Sequence, residues 1–117
     1  MVETALVFPL LPGKRLAFEQ FIVQLNTEQK SHHDRTHASV IEERWFVQST
    51  PQGDMVIVYL KGCDPALVFA DLAVSNHAFE EWFRDETLEI TGVDLALLPP
   101  FCLPQCVFSR TRVKGTT

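Results

Sequence analysis

The histidines and the acids near them are the residues whose types and spacing can do chemistry. His33 and His37 stand four apart, which can place two imidazoles on one helix face for a metal ion. Their segment reads Ser31-His32-His33-Asp34-Arg35-Thr36-His37 and lacks the glutamate of a His-Glu-x-x-His site. It therefore reads as the polar end of a helix, where histidines favour the C-terminal dipole, and no metal is expected. At about 100° per residue, His32 projects near the centre of the stripe Phe18, Phe21, Leu25. His33 falls at the stripe's edge beside Ile22, and His37 lies further round. His32 is thus the histidine expected to line the space between helix and sheet. His77 follows Ser75-Asn76 in the first turn of a later helix, where it faces a pocket or is simply solvated.

Glu43 is the carboxylate of most interest. In the stretch 40–49, Ile41, Glu43, Trp45 and Val47 share one face of a strand, and Glu42, Arg44, Phe46 and Gln48 share the other. A carboxylate buried beside Trp45 would have its pKa raised by desolvation and would suit a general base. The competing reading is an ion pair with Arg44, Arg35 or Arg15, or an edge-strand charge that deters aggregation. Tyr59, the sole tyrosine, lies in a row with Met55 and Ile57. If buried, its hydroxyl needs a partner, as a pocket residue or as a satisfied core residue. Cys102 and Cys106 are separated by three residues and Cys63 stands alone, so all three read as small apolar residues rather than a redox or zinc set. No phosphate-binding glycine loop, nucleophile elbow or calcium loop occurs.

The elements that must position these groups follow from periodicity. Residues 4–11 form an apolar first strand, with Pro9 at an edge or strand end. After Pro12-Gly13-Lys14, Phe18, Phe21, Ile22 and Leu25 give a helix over 14–31 that extends to about residue 37. Residues 40–49 and 55–61 are strands joined by Pro51-Gln52-Gly53-Asp54, a hairpin. Asp64-Pro65 starts a short helix over 65–74. Ser75-Asn76 starts the next, with Phe79, Trp82, Phe83 and Ile90 as its apolar stripe and Gly92 at its end. Residues 93–98 are expected to be a fourth strand, and 105–110 a further one that reaches a neighbour.

This order, β-α-β-β-α-β, is that of a ferredoxin-like α+β domain with a four-stranded antiparallel sheet and helices on one face. Because the strands are apolar on both faces, the second face also needs cover, and a second copy of the chain is the economical one. The order, the Leu-Pro-Gly-Lys turn, the Glu-Glu-Arg-Trp-Phe strand and Ser-Asn-His-Ala-Phe-Glu-Glu-Trp-Phe together resemble the dimeric α/β-barrel superfamily. The resemblance covers residues 3–98 and is closest to uncharacterised members. It implies two subunits whose sheets pair into a barrel. In the superfamily's monooxygenases a helix histidine faces the pocket, a place that His77 in Asn-His-Ala-Phe matches. The haem-degrading members add a sheet Trp, matched by Trp45, and an Asn on the first strand; residues 4–10 contain no Asn.

Length and composition bound the rest. The 117 residues hold 46% hydrophobic residues, nine Phe and one Tyr, enough for one domain over 1–117 with a core at 3–98 and an extension at 99–117. Net charge is −5 and the pI about 5.2, against nucleic-acid binding. No apolar run approaches a membrane span, and the odd, low cysteine count without a leader suggests a cytoplasmic protein. The expected function is a small-molecule-binding homodimer with an apolar pocket lined by Phe21, Leu25, His32, Trp45, Tyr59 and Phe83, holding no cofactor. The alternatives are a cofactor-independent monooxygenase or isomerase of small aromatic or ketonic substrates, with His77 or Glu43 taking the proton, and a non-catalytic assembly module.

Overall fold

The computed structural model describes residues 1–97 and 103–112. In chain order the elements are β1 (Val2–Pro9), α1 (Arg15–Leu25), α2 (Lys30–Thr36), β2 (Val40–Thr50), β3 (Gly53–Gly62), α3 (Ala66–Val74) and α4 (Ala78–Thr91), then a 3-10 turn at Leu95–Leu97. The hairpin forms where the turn residues place it. Thr50 stands opposite Gly53, the Thr50 hydroxyl donates to the Gly53 carbonyl at 2.7 Å, and Gly53 has φ +124°. β1 pairs antiparallel with the other side of β3, giving the order β1-β3-β2. Pro9 closes the edge strand β1, where its missing N–H costs no ladder bond.

The sheet's inner face carries Leu6, Val56, Val58 and Leu60, all buried. Against it pack Phe18, Phe21 and Leu25 of α1, Val68, Phe69 and Leu72 of α3, and Phe79, Phe83 and Ile90 of α4. α3 and α4 are held together at one end by Arg84, whose guanidinium donates to the carbonyls of Leu72 and Ser75. Gly92 ends α4 in the left-handed region at φ +76°, as the sequence suggested. The outer face keeps the row Val7, Ile57, Phe46 in register across the three strands, with Val7 57% and Phe46 51% exposed. Among the described residues no helix is long and apolar enough to cross a membrane.

Two expectations about the fold are corrected. The sheet has three strands, and the element order is β-α-α-β-β-α-α, so the four-stranded ferredoxin-like β-α-β-β-α-β arrangement and the barrel built from it do not hold. Residues 93–97 do not form the fourth strand. The Asp94 carboxylate accepts from the Ala96 N–H at 3.0 Å and the Asp94 carbonyl from the Leu97 N–H at 3.0 Å, closing a 3-10 turn instead. A short apolar run does not tell strand from helix by itself, and here the aspartate decides. Residue 98, and with it the end of that expected strand, lies outside the described residues. So do Cys102 and the final Lys114-Gly-Thr-Thr. Residues 103–112 carry no helix or strand, so the further strand expected at 105–110 does not form either; Pro104 accepts from the Thr4 hydroxyl at 2.8 Å.

The long first helix is the other correction. It stops at Leu25 and restarts at Lys30. Asn26 and Thr27 sit at the break, and the Thr27 hydroxyl bonds back to the Val23 carbonyl at 2.7 Å. Residues with short polar side chains compete in this way with the helical ladder.

Candidate functional site

The site begins with a bulge. Val40 pairs with Gly62 but Glu42 pairs with Lys61, so Ile41 is an extra residue and stands exposed. Gly62 permits it: a Cβ there would stand 1.9 Å from the Ser39 carbonyl oxygen. Beyond the bulge the strand alternates regularly, turning Glu43, Trp45 and Val47 to the helices and Arg44, Phe46 and Gln48 outward. This is the face assignment read from the sequence, except that the bulge carries Ile41 to the outside.

α2 supplies the second half. The break at 26–29 resets the helical phase, so the projection carried on from α1 fails by about one residue. His33, not His32, turns inward, and His37 follows one turn later. The two rings lie 3.9 Å apart, and each packs near Phe83 at 6.1 Å. His33 Nε2 is 3.0 Å from both oxygens of Glu43, and Trp45 Nε1 donates to Glu43 Oε2 at 2.6 Å. The Thr36 hydroxyl donates to the His33 carbonyl at 3.1 Å and lies 2.9 Å from His37 Nδ1. His33 Nδ1 is buried without a partner.

The electrostatics follow from this packing. Burial, reinforced by the neighbouring His33, lowers the His37 pKa from 6.5 to about 4, against the opposing pull of Glu43 and Asp34. For Glu43, burial acts to raise the pKa, but the hydrogen bond and charge of His33, the charge of His37 and the Trp45 N–H together outweigh it. Its pKa is lowered, so the carboxylate stays ionised at neutral pH. The desolvated general base foreseen for Glu43 is thereby replaced by a paired carboxylate. Its partners are also not the arginines considered: Arg44 pairs with Glu42, and Arg15 with Glu19 and Asp54.

Two spaces meet at this cluster. Inside, between sheet and helices, a cavity of about 40 Å³ is lined by Phe18, Phe21, His37, Glu43 and Trp45 among others. That is room for a few water molecules at most, because Phe and Trp side chains fill the interior. On the solvent side, a cleft of about 360 Å³ is lined by Ile22, Leu25, Asn26, Lys30, His33, Asp34, Glu43 and Trp45. Glu43 and Trp45 line both.

The sequence-selected residues divide accordingly. Glu43, Trp45, Phe21, Leu25 and Phe83 come together around the cluster. His32 is exposed, within 3.2 Å of Arg35 and stacked on the rim over Phe79. His77 is exposed at the N-cap of α4 and is not among the residues lining the cavity or the cleft. Tyr59 faces the outer side of the sheet, where its hydroxyl donates to Glu3 at 2.7 Å and its pKa is pushed up to about 12. The grouping that sequence reasoning missed is His33 and His37 with Glu43. The signal was present in two places: a histidine pair at helical spacing, and an acid on the inward face of the next strand.

Comparison with known proteins finds no matching family model, no matching curated protein and no matching solved structure.

Proposed function

We propose that this protein binds a small molecule in the cleft between the α1–α2 turn and β2. The observation that carries the reading is an ionised, half-buried Glu43 at the floor of a cleft whose walls are Ile22, Leu25 and Trp45. Such a site combines an apolar wall with one directional polar group, the usual make-up of a small-molecule pocket, and its volume is at the lower end of their range. The ligand it fits has an apolar or aromatic body and a hydroxyl or amine that donates to Glu43. Lys30 and Asp34 at the mouth add weak, solvent-screened charge contacts. The monooxygenase or isomerase reading draws less support, since His77 lies apart from this cleft and Glu43, already accepting from His33 and Trp45, is a weak base.

The test is a tryptophan-fluorescence and ligand-observed NMR screen of phenols, aromatic amines and small alcohols, in the presence of a chelator. Binders should lose at least tenfold in affinity in Lys30→Trp, which blocks the mouth from an exposed position, and in Glu43→Gln. Hits that bind both variants as well as the unaltered chain would refute the cleft as the site.

A second copy of the chain is the occupant we propose for the outer sheet face. The row Val7, Ile57, Phe46 is apolar across all three strands, and the charges to one side of it, Glu3 with Lys61 and Glu42 with Arg44, are paired within the chain, so a copy of the same face can cover the row without stranding a charge.

A further inference from the structure

The geometry points to a metal site: we propose that His33, His37 and Glu43 bind one divalent first-row transition metal ion. A ring nitrogen from each histidine and a carboxylate oxygen all lie within 4.8 Å of one another. Ligand atoms around a tetrahedral zinc, with bonds of about 2.0–2.1 Å, stand about 3.3 Å apart. His33 and Glu43 are already at 3.0 Å, so only the distances to His37 have to shorten, from at most 4.8 Å.

The surroundings prepare the donors. The Thr36 hydroxyl has one proton and gives it to the His33 carbonyl, so it accepts from His37 Nδ1–H and leaves the lone pair on Nε2. That arrangement fixes tautomer and ring orientation as outer-shell partners of metal-bound histidines do. Trp45 likewise fixes Glu43 through Oε2, leaving Oε1 toward His33. Binding through Nε2 puts the proton of His33 on Nδ1, which is buried without a protein acceptor, so the site calls for a water there. Two imidazoles and one carboxylate suit zinc, cobalt, nickel or ferrous iron rather than a soft monovalent ion or the all-oxygen calcium and magnesium sites. Three protein ligands leave a coordination position for water or a small molecule, and the cleft and the cavity both reach this point. The inference goes beyond the binding reading above and does not depend on it.

The experiment is a titration of the chelator-stripped full chain with zinc and with cobalt, read by calorimetry, melting temperature and the cobalt absorption spectrum. The expected result is saturable one-to-one binding that raises Tm by about 10 °C at a hundredfold excess over Kd. His37→Gln and Glu43→Gln should each weaken binding at least tenfold, while His32→Gln and His77→Gln leave it unchanged. Histidine ring NMR on the unaltered protein needs no variant: zinc should shift the nitrogens of His33 and His37 and leave those of His32 and His77 in place. Absence of saturable binding, binding lost only with His32 or His77, or ring shifts confined to those two residues would overturn the proposal. A chain that binds its organic ligand in chelator but takes no zinc would overturn this inference and leave the cleft reading standing.

Discussion

Acidification should destabilise the metal-free protein through one side chain above all, His37. It is 7% exposed, one turn from His33 and Asp34 on α2, facing Glu43 on β2 and Phe83 on α4. Its pKa falls from 6.5 in the unfolded chain to about 4 in the fold. The unfolded state therefore takes up a proton first. The stability that His37 allows is fully present above 6.5, is lost as pH falls through the window from 6.5 to 4, and changes little below it. The full loss is about 3 kcal/mol. Between pH 7.5 and pH 5 it is about 2 kcal/mol. For a chain of this length, that corresponds to a drop of about 8 °C in Tm. Glu43 acts in the same direction but lower: its lowered pKa gives stability that is present above its ordinary value of 4.5 and lost as pH falls through the folded value. Comparison above pH 5 therefore isolates His37. The assay is urea unfolding at pH 7.5, 6.5, 5.8 and 5.0 in chelator, for the unaltered chain and for His37→Gln, whose side chain does not titrate. The gap between the two curves should narrow by about 2 kcal/mol toward pH 5. Parallel curves across that range would refute the burial and charge argument for His37.

Three further outcomes follow from packing. Gly62→Ala forces a Cβ against the backbone of Ser39 and Val40, and should cost about 3 kcal/mol or more while red-shifting Trp45 emission as the bulge opens; a melting temperature within 2 °C of the parent, or about 0.5 kcal/mol, would show that the bulge is dispensable. Arg84→Ala removes two charge-assisted bonds to the carbonyls that end α3, and should cost about 2–4 kcal/mol in thermal unfolding; Arg84→Lys should recover less than half, since both bonds come from Nη1 and the lysine nitrogen stops one atom short of it. Light scattering at micromolar concentration should give twice the chain mass, falling to the monomer in Phe46→Lys; a monomer in the unaltered chain would remove the second copy from the outer face.

Parts of the fold were legible because they depend on neighbours in sequence. Thr50-Pro51-Gln52-Gly53 makes its turn from its own hydroxyl and glycine, so the hairpin needed no partner to be foreseen. Gly92 stops α4 for the same kind of reason. The alternation of Glu43, Trp45 and Val47 against Arg44, Phe46 and Gln48 is a period of two within one strand, and it survived. The stretch 93–97 was illegible because five apolar-rich residues satisfy either a strand or a turn, and the Asp94 side chain settled it locally. Tyr59 was misplaced by face: Met55, Ile57 and Tyr59 share a row, but only packing tells which row of β3 meets the helices.

The sequence by itself determined that an acid and a tryptophan lie side by side on one strand face, and that two histidines lie one turn apart on a helix. Only the tertiary structure decided that they meet. A helical phase can be counted within a helix but not across the break at Asn26-Thr27, where the chain changes direction. The distance from α2 to β2 is set by the Phe83 ring of α4, which packs near His33 and His37 on one side and Trp45 on the other. Burial then fixed what those residues are chemically. Glu43 is a paired carboxylate and His37 a neutral imidazole because of what surrounds them, which no spacing along the chain expresses.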